Sequence, residues 1–311
     1  MNNYTERDYI ISTDDYNRNF WNYVRGNRGV ADALSKGIDN ASVGFYLPTV
    51  SDNKLEKAIS KESVFRSLAT VVHAYSGVPR IFAYGNEDLA SWVPEGNPIP
   101  VQDATDDFTR YEVGSHKLAV ITKLDNDFAR DAAFDVEDYF TKRLARNFAY
   151  AEDAAFINGN GESEPMGLLD EDNGAQVLIS TTDLSFSDVL NLFFAVKPEY
   201  RKNAVWIMND DTALKLRLLQ DENGNYLWNH ANDTIMGKPV VISNDMPNAE
   251  SGKIPILFGD FSYYWIICRS PVSVRMLKEK YALMDQAGFL ATEFMDGKLI
   301  CREAIQGIDI S

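Results

Sequence analysis

The glycines and carboxylates of "INGNGESEPMGLL", residues 157–169, offer the first place to look for chemistry. A phosphate-binding loop follows a strand and opens a helix, because the helix N-terminus supplies free N–H groups and the positive end of a dipole. Here the order is reversed. The strongest helical pattern of the chain, Val136 to Asn158, comes before the loop, so Gly159 and Gly161 fall where carbonyls and negative partial charge collect. Glu162 and Glu164 would repel phosphate further, and the glycines read as helix terminators.

Other constellations fail on spacing. His73, His116 and His230 are expected in a helix end, a strand and a loop, with no HExxH and no paired spacing, which leaves them structural roles. "GDFSY" at 259–263 and "GSHK" at 114–117 lack the second glycine of a nucleophile elbow. "DENGNYLW", residues 221–228, puts Asp221, Asn223 and Asn225 at positions one, three and five of a calcium loop. Tyr226 and Asn232 then stand where glycine and glutamate belong, so the segment reads as a plain turn. Pairs such as Asp106–Asp107 and Asp210–Asp211 are ordinary in a chain with 46 acidic residues, and glycoside hydrolysis needs two carboxylates facing each other across a cleft. Cys268 and Cys301 have neither CxxC nor Cys/His spacing and fit core thiols in a reducing cytosol. No catalytic, cofactor-binding or metal-ligating residue is assigned, and an enzyme has no anchor here.

Composition narrows the partners. With 30 Lys and Arg against 46 Asp and Glu, the formal charge of the 311-residue chain is −16. That argues against binding nucleic acid by counterion release, which needs clustered cations. The longest basic group, Lys142, Arg143 and Arg146, shares its helix with Glu137, Asp138 and Glu152 and reads as a solvated face or an internal ion-pair set. The N-terminus lacks the pattern of a secretory signal and no run of eighteen apolar residues occurs. The expectation is a protein made in the cytoplasm, without a membrane partner.

These side chains must be held by elements of uneven character. Residues 1–44 are polar and rich in Asn and Asp, with "FWNYVRG" at 20–26 as an aromatic anchor, and read as an extended arm with little core of its own. Residues 54–74 place Leu55, Ile59, Val64, Leu68 and Val71 or Val72 near helical spacing, as one helix or two pieces. From 75 to 122, glycines and prolines punctuate β-type runs such as "RIFAY" and "RYEV", a long two-stranded excursion tipped by "PEGNPIPVQDATDDF". A lone ribbon is marginal in water, so something outside the subunit must hold it. After the helix at 136–158 come a helix and buried strand in "FSDVLNLFFAVKPEYRKNAVWIMND" and a further helix with a polar turn in "DTALKLRLLQDENGNYLWN", an α/β layer. Strands and turns follow from "GKPVVISNDMP" to the end, with Asp296–Gly297 as a hairpin-turn candidate.

From about Phe20 to Ile310 the order of segments resembles the major capsid proteins of tailed bacteriophages with the Hong Kong 97 fold. The marks are "FWNYVRG", "ASWVPEGNPIP" followed by "HKLAVITKL", and "DVEDYFTKRLARNFAYAEDAAFINGNGESEPMGLL". Downstream stand "WIMNDDTALKLRLLQDENGNYLW", "GKPVVISNDMP", "ILFGDFSYYWIICR" and "DGKLICREAI". The resemblance implies an α+β fold divided into an N-terminal arm (1–44), a peripheral-domain helix region (45–74) and an extended β-hairpin loop (75–118). The peripheral domain with its long spine helix (119–165), an axial α/β domain (166–267), peripheral strands (268–300) and a return to the axial domain (301–311) complete it. It further implies a structural protein, a subunit of hexamers and pentamers in an icosahedral head that encloses double-stranded DNA without binding it specifically. Such a protein is a virion component assembled in the host bacterial cytoplasm. Inter-subunit contacts are expected from Trp92, Glu95, Ile99 and Phe108 of the loop and from Phe20, Trp21 and Arg25 of the arm.

Two departures matter. Many members begin with a long charged scaffolding segment, whereas this chain starts almost at the arm, so either a separate scaffolding protein serves it, alongside a portal protein, or the chain is a processed form. The type member welds subunits through a loop lysine, yet no lysine stands between Val72 and His116, so no covalent mesh and a single monomer band in SDS are expected. The competing expectations are an encapsulin-like nanocompartment shell and, from another class, an acidic cytoplasmic hydrolase.

Overall fold

The computed structural model describes residues 6–35, 45–74, 80–84, 92–95, 97, 108–125, 127, 135–220, 224–226, 228–229, 232–277 and 280–311. The helices, in chain order, are α1 (Glu6–Ile11), α2 (Asp14–Val24), α3 (Ala31–Ser35), α4 (Thr49–Glu62), α5 (Val136–Asn158), α6 (Phe186–Ala195), α7 (Pro198–Arg201) and α8 (Asp210–Leu218). The first strands are β1 (Phe45–Tyr46), β2 (Thr70–His73), β3 (Arg80–Tyr84), β4 (Phe108–Glu112), β5 (His116–Asp125), β6 (Gln176–Thr181) and β7 (Val205–Met208). They are followed by β8 (Trp228–Asn229), β9 (Thr234–Ile235), β10 (Lys238–Ile242), β11 (Lys253–Gly259), β12 (Tyr264–Leu277), β13 (Gln286–Leu299) and β14 (Ile305–Ile310).

Within the segment expected as an extended arm, the described residues are largely helical, in α1, α2 and α3. Thr13 caps α2 by accepting from the Tyr16 N–H, and Asp14 and Asp15 sit at the positive end of its dipole. Tyr16, Phe20, Tyr23 and Val24 recur at three to four residues and form one buried stripe. The many Asn and Asp side chains on the other face hide that period when the sequence is read for hydrophobicity alone.

One sheet runs β1–β12–β13–β5, with β2 beside β12. Antiparallel pairing of β12 with β13 extends from Tyr264 opposite Leu299 to Leu277 opposite Gly288. Helices α4 and α5 cover this sheet, and Phe140, Leu144 and Phe148 meet Leu55, Ile59 and Phe289 in a core that also takes in Phe20 and Val24. The 23 residues of α5 span roughly 35 Å at 1.5 Å each, capped by Asp135 accepting from the Asp138 N–H. The expectation of helix through residue 74 needs correcting. Helix α4 stops at Glu62, where Ser63 turns extended and the N–H groups of Val64 and Phe65 donate to Asp153 instead. Val71 and Val72 then pair in parallel with Ile266 and Ile267.

Asp296–Gly297 is no turn either. Both residues lie inside β13 opposite Ile267 and Ile266. The Asp296 carboxylate accepts the Gly114 N–H at 2.6 Å, and a Cβ on Gly297 would come within 2.2 Å of the Tyr264 hydroxyl oxygen. Close packing against an aromatic ring, not a reversal of the chain, explains the glycine.

The second sheet has the order β6–β14–β11–β7–β10–β9–β8, parallel at β6–β14 and β7–β10. Its strand "VWIM" is apolar throughout because both faces are covered. Trp206 and Met208 pack under Val189 and Leu192 of α6 and Ala213 and Leu216 of α8, so both helices share one face. Ile207, Leu257 and Ile305 turn the other way, onto Phe156, Leu168 and Tyr264, and this layer joins the two sheets. The helix and buried strand expected in "FSDVLNLFFAVKPEYRKNAVWIMND" and the helix expected after them agree with α6, β7 and α8.

The loop at 157–169 ends α5 and folds back on it. The N–H groups of Leu168 and Leu169 donate to the Phe156 and Ile157 carbonyls, satisfying the last turn, and Gly167 donates to Gly159. A Cβ on Gly159 would lie 2.0 Å from the Pro165 carbonyl oxygen, so only glycine permits this return.

Candidate assembly surfaces and a buried charge cluster

Among the described residues, strands β3 and β4 pair only with each other, in register from Arg80 opposite Glu112 to Tyr84 opposite Phe108. The base of this ribbon is tied to the body where the Tyr111 hydroxyl donates to the Ile300 carbonyl at 2.6 Å. Beyond it Phe82 is exposed and Trp92 stands fully in solvent, with Glu95 also exposed. Of the expected loop contacts, Trp92 and Glu95 are thus outward-facing, Phe108 closes the last pair of the ribbon, and Ile99 lies outside the described residues along with the tip at 98–107.

The arm residues behave differently. Phe20 is completely buried in its own subunit, edge-on to Trp21 with ring centroids 5.1 Å apart. Trp21 is half-buried and its Nε1–H donates to the Ser51 hydroxyl, which in turn donates to Glu137. Arg25 ends α2, its backbone N–H donating to the Trp21 carbonyl. Phe20 therefore presents no surface to a neighbour, which corrects the expectation: an amphipathic α2 buries this ring against α4 and α5.

Elsewhere in the body, four elements share a cluster of buried charges. Arg66, in the turn after α4, donates to both oxygens of Glu152 on α5, at 2.6 and 2.9 Å, and stands 3.6 Å from Glu293 on β13. All three side chains are buried. Burial works against the Arg66 charge, but the adjoining Glu152 carboxylate more than compensates and pushes its pKa up. Asp153 accepts from the Ser63 hydroxyl and from the Val64 and Phe65 amides, fixing the turn that carries Arg66. One cation cannot serve every carboxyl here. Oε2 of Glu293 has no hydrogen-bond partner, and burial pushes this acid up to about 8 despite Arg66. A cavity of about 10 Å3 separates it from Asp52 of α4, which burial and then Glu56 raise to about 7. Sequence reading missed this cluster, since 86 residues separate Arg66 from Glu152 and only the fold brings them together.

It also missed the apolar surface of the second sheet. Phe194 on α6, Leu214 and Leu218 on α8 and Leu178 on β6 are each at least 60% exposed. A signal was present: "LFFA" and "ALKLRLL" hold more apolar positions than one helix face can bury.

The two described histidines, His73 and His116, form no joint site. His73 lies in strand β2 rather than at a helix end, 3.5 Å from Glu56, while His116 on β5 is 3.5 Å from Asp296, and His230 is outside the described residues. Asp221 and Asn223 of the calcium-like stretch also fall outside them, and Gly224 beside them adopts a positive φ of +81°. Among the described residues no group of three His, Cys, Asp or Glu side chains could hold a metal ion, and no helix is long and apolar enough to cross a membrane.

The comparisons with known proteins agree with one another. A family model described as the phage capsid family matches residues 43–310. The capsid polyprotein of Pseudomonas phage PAJU2 is 26% identical over 205 residues, which are 63% of this chain and 30% of that protein. The chain thus spans under a third of the length of the curated relative it matches. Among solved structures, the capsid of an empty GTA particle, computed with C5 symmetry, is 28% identical with a TM-score of 0.66, covering 80% of this chain and 90% of that one. The capsid of the native GTA particle is 27% identical with a TM-score of 0.62, covering 82% and 90%. The α+β fold is accordingly of the Hong Kong 97 type.

Proposed function

The chain belongs to the phage capsid family, and from that premise we propose that it is the major capsid subunit of a phage head, a structural protein and not an enzyme. One observation carries this reading: β3 and β4 form a two-stranded ribbon with no third strand among the described residues, and Trp92, between them in the chain, is fully exposed. Ordering such a ribbon needs a surface beyond its own two strands. A neighbouring copy is the partner that the assembled capsids among the similar structures favour. Hexamers and pentamers would close the shell, each specific contact burying on the order of 1,200–2,000 Å2. A separate scaffolding protein and a portal protein are the further partners, and the shell encloses DNA without recognising its sequence. The encapsulin-like and hydrolase alternatives find less support, because the matching family and the curated relative are both of phage capsids.

Deleting residues 88–108 tests the reading. The expected product is a folded, soluble subunit with native circular dichroism that forms no shells by electron microscopy. Normal particles from the deleted chain would overturn the role given to the ribbon.

A further inference from the structure

A ring of more than two subunits joins two different surfaces of the same chain, because only a two-fold axis brings like to like. Two such surfaces lie toward opposite edges of the second sheet. On the side of β6 and β14, which α6 overlies, Phe194 is 64% exposed. The Arg201 guanidinium lies over the Phe193 and Phe194 rings, 5.4 and 5.3 Å from their centroids. Its Nε is buried with no hydrogen-bond partner, and no carboxylate among the described residues pairs with it. Cation and aromatic side chains in contact are the composition of an interface hot spot.

On the β10 side a cavity of about 300 Å3 opens between α8 and the strand, floored by Leu214, Val240 and Ile242. Arg217 and Asp233 beside it neutralise each other at 2.5 Å. The charge left at the rim is that of Asp210 and Asp211, both exposed and without an ion-pair partner among the described residues. One surface is thus apolar with a spare cation, the other apolar with spare anions.

We propose that the Arg201–Phe194 surface of one copy seats in the Asp210–Asp211–Leu214 groove of the next, head to tail, and that this contact closes the ring. The proposal rests on the shell-subunit reading and names the surfaces through which that subunit meets its own kind. In a chain whose formal charge is −16, pairing a lone cation with two carboxylates at each junction also offsets repulsion between neighbours.

Charge exchange tests it with three proteins: Arg201→Glu, Asp210→Arg with Asp211→Arg, and the chain carrying all three changes. Each reversal alone is expected to lower the assembled fraction more than tenfold in sedimentation, with circular dichroism and urea midpoint unchanged. The combined chain regains shells. A 1:1 mixture of the two separate variants is expected to give rings with an even number of subunits and no five-membered rings, because only an even ring can alternate them. Should Arg201→Glu unfold the chain, Phe194→Ala replaces it, with the same fall in assembly expected. Shells that tolerate both reversals, or a combined chain that folds and stays monomeric, overturn the contact, the former leaving these surfaces to another partner. A wild-type chain that never assembles overturns the shell reading itself and this contact with it, an outcome distinct from wild-type shells with indifferent variants.

Discussion

Glu293 shows how a single residue reports on the fold. Its carboxyl is raised from the ordinary 4.5 to about 8, and Asp52 from 3.8 to about 7, so the folded chain holds protons that the unfolded chain releases. The unfolded state binds fewer protons throughout that interval, and stability therefore falls as pH rises from about 5 to about 8. Urea unfolding at pH 5, 7 and 9 is expected to show a declining midpoint in the wild type and a flatter one in Glu293→Gln. The variant gains on the order of 3 kcal/mol over the wild type by pH 9. Parallel pH profiles for the two proteins would show that Glu293 does not hold the proton. The cluster was invisible in sequence for a physical reason: pairing across the fold leaves no local pattern. Lys142 and Arg143, by contrast, were expected on a solvated face or in an ion-pair set within the helix, and Lys142 meets Asp138 one turn away at 2.9 Å while Arg143 donates to Tyr139. Glu152, which shares their helix, is taken by Arg66 instead.

Among elements, periodicity succeeded where both faces of a helix differ clearly and failed where polar residues crowd the pattern. Helix α5 and its glycine terminators were readable, because Phe140, Leu144 and Phe148 keep their spacing and Gly159 meets the returning chain. Helix α2 was not, although Tyr16, Phe20 and Tyr23 sit at helical intervals. The difference separates stability from assembly. Phe20→Ala should cost roughly 3–5 kcal/mol, the loss expected for a buried ring, whereas Trp92→Ala should stay within about 0.5 kcal/mol of the wild type and impair only shell formation. Thermal or urea melts compare the two, and equal melting points would refute the placement of α2 in the core. Asp296–Gly297 marks another limit, since a dipeptide typical of turns can equally be a strand position pressed against Tyr264.

At the scale of the molecule, two sheets with a shared apolar layer form the body, and a ribbon and exposed apolar side chains extend from it. A formal charge of −16 on every copy means that neighbours inside a Debye length of about 8 Å repel unless their surfaces are matched locally. Composition made that requirement legible, while the position of the matching surfaces on α6 and α8 required the fold. Sedimentation velocity of the purified full-length chain, with negative-stain microscopy of the same sample, tests the central claim most directly. The account predicts closed, rounded shells sedimenting far faster than a single 35.0 kDa subunit. A stable, folded monomer at every concentration would contradict it.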